Sequence, residues 1–437
     1  MKIVALTGML GYGYSEESLE HAFSEKVDYV GVDAGSTDPG PYYLGSGKSF
    51  TDRNAVKRDL ALALPKVLEH NAPFIIGSAG GAGSKRHVEW LKEILFEICK
   101  EKNLSFKLAV IYSDVSKEYV LEKYDSGKMI NMSECFPANR EEIEKSETIV
   151  SQIGVAPIMK MLEEKVDVIL CGRACDTAIY AAPCLFEGYD HGLAFHMAKI
   201  MECGGMCAEP VSAADVMQGY MYKDHFELRP ANPQKRCTVD RVAAHTLYEQ
   251  TNPYLIFEPD GVADLKNSKF EQIDERTVRV SGSEFKMAEV PTLKLEGVKC
   301  SGFRTISPAT INDDNTIDHI DLITKTVSDF VKENTSGIIK PEDYNLSFKL
   351  SGGKESSLSV IIDIVAKTQA IADTVCALAR SRMLHCDYVG RKSSAGNLAF
   401  PFSPSDIHIG EVYEFSVFHL VQVDDLSETA KIEIMEV

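Results

Sequence analysis

Acidic and basic side chains stand beside glycines at four places in this 437-residue sequence, a combination suited to moving protons next to a bound anion. The first stretch, TGMLGYGYSEES (7–18), offers Gly11 and Gly13 for close backbone approach. Its Ser15–Ser18 segment reads as a helix start with free N–H groups. The second, residues 35–50, follows Asp33 and carries Ser36, Thr37, Asp38, Tyr42, Tyr43 and Lys48; carboxylates at a strand end suit proton transfer or a divalent metal. The third, GSAGGAGSKRH (77–87), presents Gly80, Gly81 and Gly83 ahead of Lys85 and Arg86, an arrangement able to wrap a carboxylate or phosphate. The fourth, CGRACDTAIYAAP (171–183), places Arg173 to clamp a substrate carboxylate in two-pronged fashion. Asp176 there acts as a base or pairs with Arg173. Each stretch also has a plainer use, as a capped turn, a solvated loop or close helix–strand packing.

Three residues are the candidates for proton transfer: Asp33, Asp176 and His196. Gly11, Gly13, Ser36, Thr37, Gly80, Gly81, Gly83, Lys85 and Arg173 are the candidates for holding substrate. Asn397 joins them from RKSSAGNLAFPFSPSDI (391–407), where Ser393, Ser394 and Asn397 stand beside aromatic residues. His196 lies seven residues before Cys203, on the same helical face; a packed core histidine is the alternative to a Cys–His pair. Arg173→Ala and Asp176→Ala are each expected to abolish turnover and leave the melting temperature within a few degrees.

Other chemistries lack their signatures. Residue 16 is Glu, so the first stretch is not the dinucleotide-binding G-x-G-x-x-G. Lys85 follows Ser84 and no Ser or Thr comes next, so the third is not a phosphate-binding Walker loop. No NAD or ATP motif is present, and a metal cofactor stays an open question at the aspartate-rich loop. The 11 cysteines include no C-x-x-C pair; Cys171, Cys175, Cys203 and Cys207 are too widely spaced for an ordinary zinc site. Buried, reduced thiols are the reading, in keeping with the cytoplasm.

The elements that must position these residues alternate. Apolar runs at 2–8, 27–34, 73–81, 105–114 and 166–176 read as strands, with helical periodicity at 53–70, 87–103 and 192–204. Strands apolar on both faces belong to a sheet covered on both sides. The expected fold is therefore α/β: a doubly wound, mostly parallel sheet in the N-terminal half, followed by an α+β C-terminal region. Three segments are expected: 1–210 as the α/β domain, 211–342 as a mixed region with antiparallel strands, and 343–437 as the α+β domain with a helix at 369–385.

A net charge of −19 and a pI near 5.1 oppose nucleic acid and anionic membranes as partners. No apolar run reaches the roughly 18 residues of a membrane span, and no signal peptide is read at the start.

Several segments together resemble the acyclic terpene utilisation (AtuA) family: GYGYSEESLEHA (11–22), RNAVKRDL (53–60), IIGSAGGAG (75–83), VILCGRACDTAIYAAP (168–183), GLAFHMAKIMECGGMCAEP (192–210), RCTVDRVAAHTLYEQ (236–250) and SAGNLAFPFSPSDI (394–407). They run in order along nearly the whole chain. The resemblance implies an α/β fold and catabolism of acids or branched acyl-CoA compounds, and in some relatives a small ferredoxin-like partner domain. It carries over no catalytic residues. The expected function is a lyase or hydro-lyase on a small hydroxy- or carboxylic acid or its CoA thioester, in a homo-oligomer. The competing expectation is a binding subunit that works with a small partner protein; a nucleotide-dependent enzyme ranks third.

Overall fold

Parallel strands buried on both faces form the centre of this computed structural model, which describes residues 1–249, 252–392 and 394–437. Ser393 lies outside the described residues. The chain divides into two units, Met1–Lys299 with Phe415–Val437, and Cys300–Glu414.

In the first unit, ten strands form one sheet. In chain order they are β1 (Lys2–Ala5), β2 (Tyr29–Asp33), β3 (Phe74–Gly77), β4 (Lys107–Tyr112), β5 (Val168–Cys171), β6 (Met217–Met221), β7 (His225–Pro230), β8 (Lys269–Gln272), β9 (Val278–Ser281) and β10 (Lys431–Glu436). The spatial order is β8-β9-β7-β6-β1-β2-β3-β5-β4-β10. The five strands from β1 to β4 in that order are parallel, and both flanks are antiparallel.

The strands look uniformly apolar because each serves two cores. Ile3, Tyr29, Ile75, Ala109 and Ile169 face one side, with Tyr180, Phe195 and Ile200 from helices Ala178–Phe186 and His191–Met201. Val4, Val30, Phe74, Val110 and Leu170 face the other, with Leu60, Leu64, Leu91 and Ile94 from helices Arg53–His70 and Lys85–Lys102. The doubly wound expectation holds. Asp52 caps the third of these helices, accepting from the N–H groups of Asn54 and Ala55, and Asn71 ends it in the left-handed conformation.

Two features differ from the sequence reading. Residues 35–50 are not all loop: Pro41–Ser46 is a short helix, with Pro at its start and Gly47 left-handed at its end. Four antiparallel strands between residues 217 and 281, and one in the tail at 431–436, do not stand apart from the N-terminal half. Backbone pairing adds β6, β7, β8, β9 and β10 to its sheet, and pairing partners are set by tertiary contact that local sequence does not encode.

The second unit is α+β. Strand 357–366 pairs antiparallel with strand 344–353 on one side and with residues 303–311 on the other. Helices Ile320–Thr335 and Gln369–Leu384 pack Val327, Val331, Val375 and Ala379 against Val360, Ile362 and Ile364.

Candidate active-site cleft

Ligands of open α/β sheets bind beyond the carboxyl ends of the strands, and the first unit has a cleft of about 250 Å³ there. The turn after β1 supplies Gly8, Met9 and Tyr12. The end of β2 supplies Asp33, Gly35, Ser36 and Asp38, and the turn after β5 supplies Asp176. Glu202 and Cys203 come from the end of helix His191–Met201, and Tyr248 and Glu249 follow helix Val239–Thr246. Close backbone approach makes this convergence possible. A Cβ on Gly8 would sit 2.7 Å from the Cys203 carbonyl oxygen, so only glycine lets the β1 turn reach that helix end. Gly83, at φ +66°, lets the β3 and β5 turns touch; a Cβ there would lie 2.1 Å from the Arg173 nitrogen.

The floor is acidic. Asp33 is 6% exposed; its Oδ2 accepts from the Gly35 N–H at 2.9 Å, and its Oδ1 has no hydrogen-bond partner among the described residues. Burial, reinforced by Asp176, pushes the Asp33 carboxyl well up. Burial also raises Asp176, but Arg173 at 3.3 Å and Lys199 favour its charged form. Glu202 is pushed up to about 8 by burial, against the pull of Lys199, whose Nζ lies 2.5 Å from Oε1. Burial opposes the Lys199 charge, yet Glu202 and Glu249 raise its pKa. Tyr180, fully buried, has a hydroxyl without a partner among the described residues; burial and then Asp33 raise its pKa. Five carboxylates, Asp33, Asp38, Asp176, Glu202 and Glu249, line the cleft, and among the described lining residues there is no Lys, Arg or His. The arrangement holds carboxyls in different protonation states around one space, as acid–base catalysis needs. No group of three or more His, Cys, Asp or Glu among the described residues is placed to hold a metal ion.

The structure brings Asp33, Asp176 and Ser36 together at this cleft. It places the other expected residues elsewhere. Arg173 is 3% exposed and faces inward: Nε donates to Glu296 Oε2 at 2.9 Å, and Nη1 donates to Ser78 Oγ, the Ala174 carbonyl and Asp176. Although burial opposes it, Arg173 with Lys294 pulls Glu296 down to about 2. Arg173 is thus committed to an internal ion pair. Its removal must lower the melting temperature, contrary to the expectation from sequence. His196 is fully buried on the core side of its helix, between Ser283 Oγ at 2.7 Å and Thr246 Oγ1 at 3.1 Å; burial lowers it to about 3. It makes no pair with Cys203.

The glycine turn at 11–13 does hold an anion, and it is the chain's own. The N–H groups of Gly11 and Gly13 each donate to Asp59 Oδ2 at 3.0 Å. Thr37 is buried, its carbonyl accepting from Gly40. In the third stretch Gly81 and Gly83 donate back to Ser78 and Ala79, and Gly80 packs on His87. Lys85 stands over the Tyr112 ring. Asn397, in the second unit, donates to the carbonyls of Met383 and Cys386 and so closes the helix Gln369–Leu384. Sequence reasoning gave no role to Glu202, Glu249 or Tyr248. The one signal was Glu202 beside Cys203 at a helix end before Gly204 and Gly205.

The fold and cleft define an α/β protein with a carboxylate-lined cleft at its strand ends. The chain belongs to the acyclic terpene utilisation family protein AtuA group: that family matches residues 45–220 and 228–384. The family's description associates it with the utilisation of acyclic terpenes. No curated protein and no solved structure matches the chain. Among the described residues no helix is long and apolar enough to cross a membrane.

Proposed function

We propose that the chain is a catabolic hydro-lyase that removes water from a hydroxyacyl thioester, and that it works in the cytoplasm. The observation that carries this reading is the juxtaposition of Asp176, ion-paired with Arg173, and Glu202, raised to about 8, on one cleft. Asp176 takes the proton from the carbon next to the thioester carbonyl. Glu202 gives its proton to the departing hydroxyl, which leaves as water while the carbon–carbon double bond forms. Asp33 tunes this pair: two carboxylates sharing a site do not both ionise, so a neutral Asp33 leaves the charge on Asp176.

The acidic lining favours the thioester over the free acid. A substrate carboxylate would meet an acidic lining with no Lys, Arg or His among its described residues, whereas a thioester carbonyl is neutral. Met9, Pro39, Phe50, Met206 and Tyr248 give the cleft apolar walls suited to a branched hydrocarbon chain. Eleven free thiols support a reducing compartment.

The test is a panel of branched and linear hydroxyacyl-CoA compounds, with formation of the conjugated thioester followed by its ultraviolet absorbance. Asp176→Asn and Glu202→Gln are each expected to cut turnover roughly 10²–10⁴-fold with an unchanged circular dichroism spectrum. Undiminished turnover in both variants, or equal turnover of the free hydroxy acids, would remove the basis of the reading.

A further inference from the structure

Asp176 faces the cleft, while its neighbour Cys175 opens onto a second and larger cavity in the same unit. That cavity has a volume of about 500 Å³. Much of its lining is apolar, from Met132, Phe257, Val262 and Leu420, and Phe257 is 65% exposed and Met132 46% exposed at its rim. Side chains of this kind stay exposed beside a hollow when something apolar fills it. Its size lies within the roughly 300–1,000 Å³ of pockets that enclose small organic ligands.

The polar groups converge on one spot. Glu258 is 8% exposed, and its Oε2 accepts from Thr177 Oγ1 at 2.8 Å and from Cys175 Sγ at 3.4 Å. Neither contact uses Oε1. Burial keeps the carboxyl protonated, pushing it up to about 8, so it can both donate and accept. The lining also includes Lys294, but its Nζ is spent on Glu296 Oε1 at 2.8 Å. Among the described lining residues a carboxylate ligand would therefore find no uncommitted cation, while a neutral oxygen would find the Glu258 carboxylic acid beside Cys175.

We infer that this cavity is a second binding site, for an aliphatic compound headed by a neutral oxygen, an alcohol or a carbonyl, held head-first at Glu258 and Cys175. The apolar walls take the chain, and Glu258 orients the head. The inference stands apart from the chemistry proposed for the cleft: the walls and polar groups used here are different residues.

The test uses octan-1-ol and octanoate as probes on the full chain. Calorimetric titration should show octanol binding at least tenfold more tightly than octanoate. Saturating octanol should slow N-ethylmaleimide labelling of Cys175, read by peptide mass spectrometry, at least fivefold, with labelling of exposed Cys135 unchanged. Val262→Trp, which fills the cavity, should abolish octanol binding; Asp176→Asn should leave it intact. Octanoate binding as tightly as octanol, or Cys175 labelling unaffected by octanol in the unaltered chain, overturns the inference. The labelling arm does not depend on whether Val262→Trp folds. Loss of turnover in Asp176→Asn with octanol binding retained would sustain both proposals separately.

Discussion

Replacing Arg173 by Ala tests the electrostatic frame of the cleft most directly. The guanidinium is the main counter-charge of Glu296, which is fully buried, and it favours the charged form of Asp176 against burial. Removing Arg173 leaves Lys294 as the remaining counter-charge of Glu296, so the cost is at most the about 3–5 kcal/mol of breaking a buried pair. With an unfolding entropy near 2.1 cal/mol/K per residue over a unit of roughly 320 residues, that corresponds to a melting temperature lower by up to about 4–7 °C. The sign with pH is fixed. In the native chain Glu296 sits at about 2, below the ordinary 4.5, so its contribution is present above pH 4.5 and is lost as pH falls toward 2. Without Arg173 that depression weakens, with Lys294 alone sustaining it. The deficit of Arg173→Ala should be largest above pH 4.5 and shrink as pH falls toward 2. Adding Glu296→Gln should recover part of it, an interaction read from the double-mutant cycle. Differential scanning calorimetry from about pH 2.5 to 7 is the assay. A variant that melts within a degree of the native chain, or a deficit that does not vary with pH, would refute the assignment of Arg173 to an internal pair.

Three further outcomes follow from the same geometry. Turnover of the native chain should fall as pH rises through about 8, where Glu202 loses its proton, and Glu202→Gln should lack that limb in a pH–rate profile. Gly83→Ala should lower stability by about 1–3 kcal/mol in denaturant titration, since the new Cβ meets the Arg173 backbone from a left-handed conformation. Glu258 sits at about 8, above its ordinary 4.5, so it costs nothing below pH 4.5 and destabilises increasingly as pH rises to 8. Glu258→Gln should thus gain over the native chain by up to about 4 kcal/mol at pH 8 and by little at pH 4, in urea titrations at the two values.

What could be read from sequence was what is local. Runs such as VDVIL and FII announce strands covered on both faces, and they are β5 and β3. The glycine turns at strand ends and the carboxylates Asp33 and Asp176 were visible for the same reason. What was illegible depends on partners far along the chain. The anion for the Gly11–Gly13 turn is Asp59, 48 and 46 residues away, and the partner of Arg173 is Glu296, 123 residues away. His196 lies in a helix buried on every side from Gly192 to Met201, where periodicity cannot say which face meets the cleft. Glu202 sits at that helix's end, and only the close passage of Gly8 reveals that it faces the cleft.

The placement of β10 bears on biosynthesis. Residues 431–436 pair with β4 along its whole length, from Lys431 opposite Tyr112 to Glu436 opposite Lys107. On the ribosome, more than three hundred residues separate the synthesis of one from that of the other. Until the last stretch emerges, β4 is an uncovered border strand whose free amides and carbonyls can recruit another chain. Nascent molecules, or ones clipped ahead of residue 431, should therefore be the ones that clump, and chaperone dependence should end once residues 431–436 have paired.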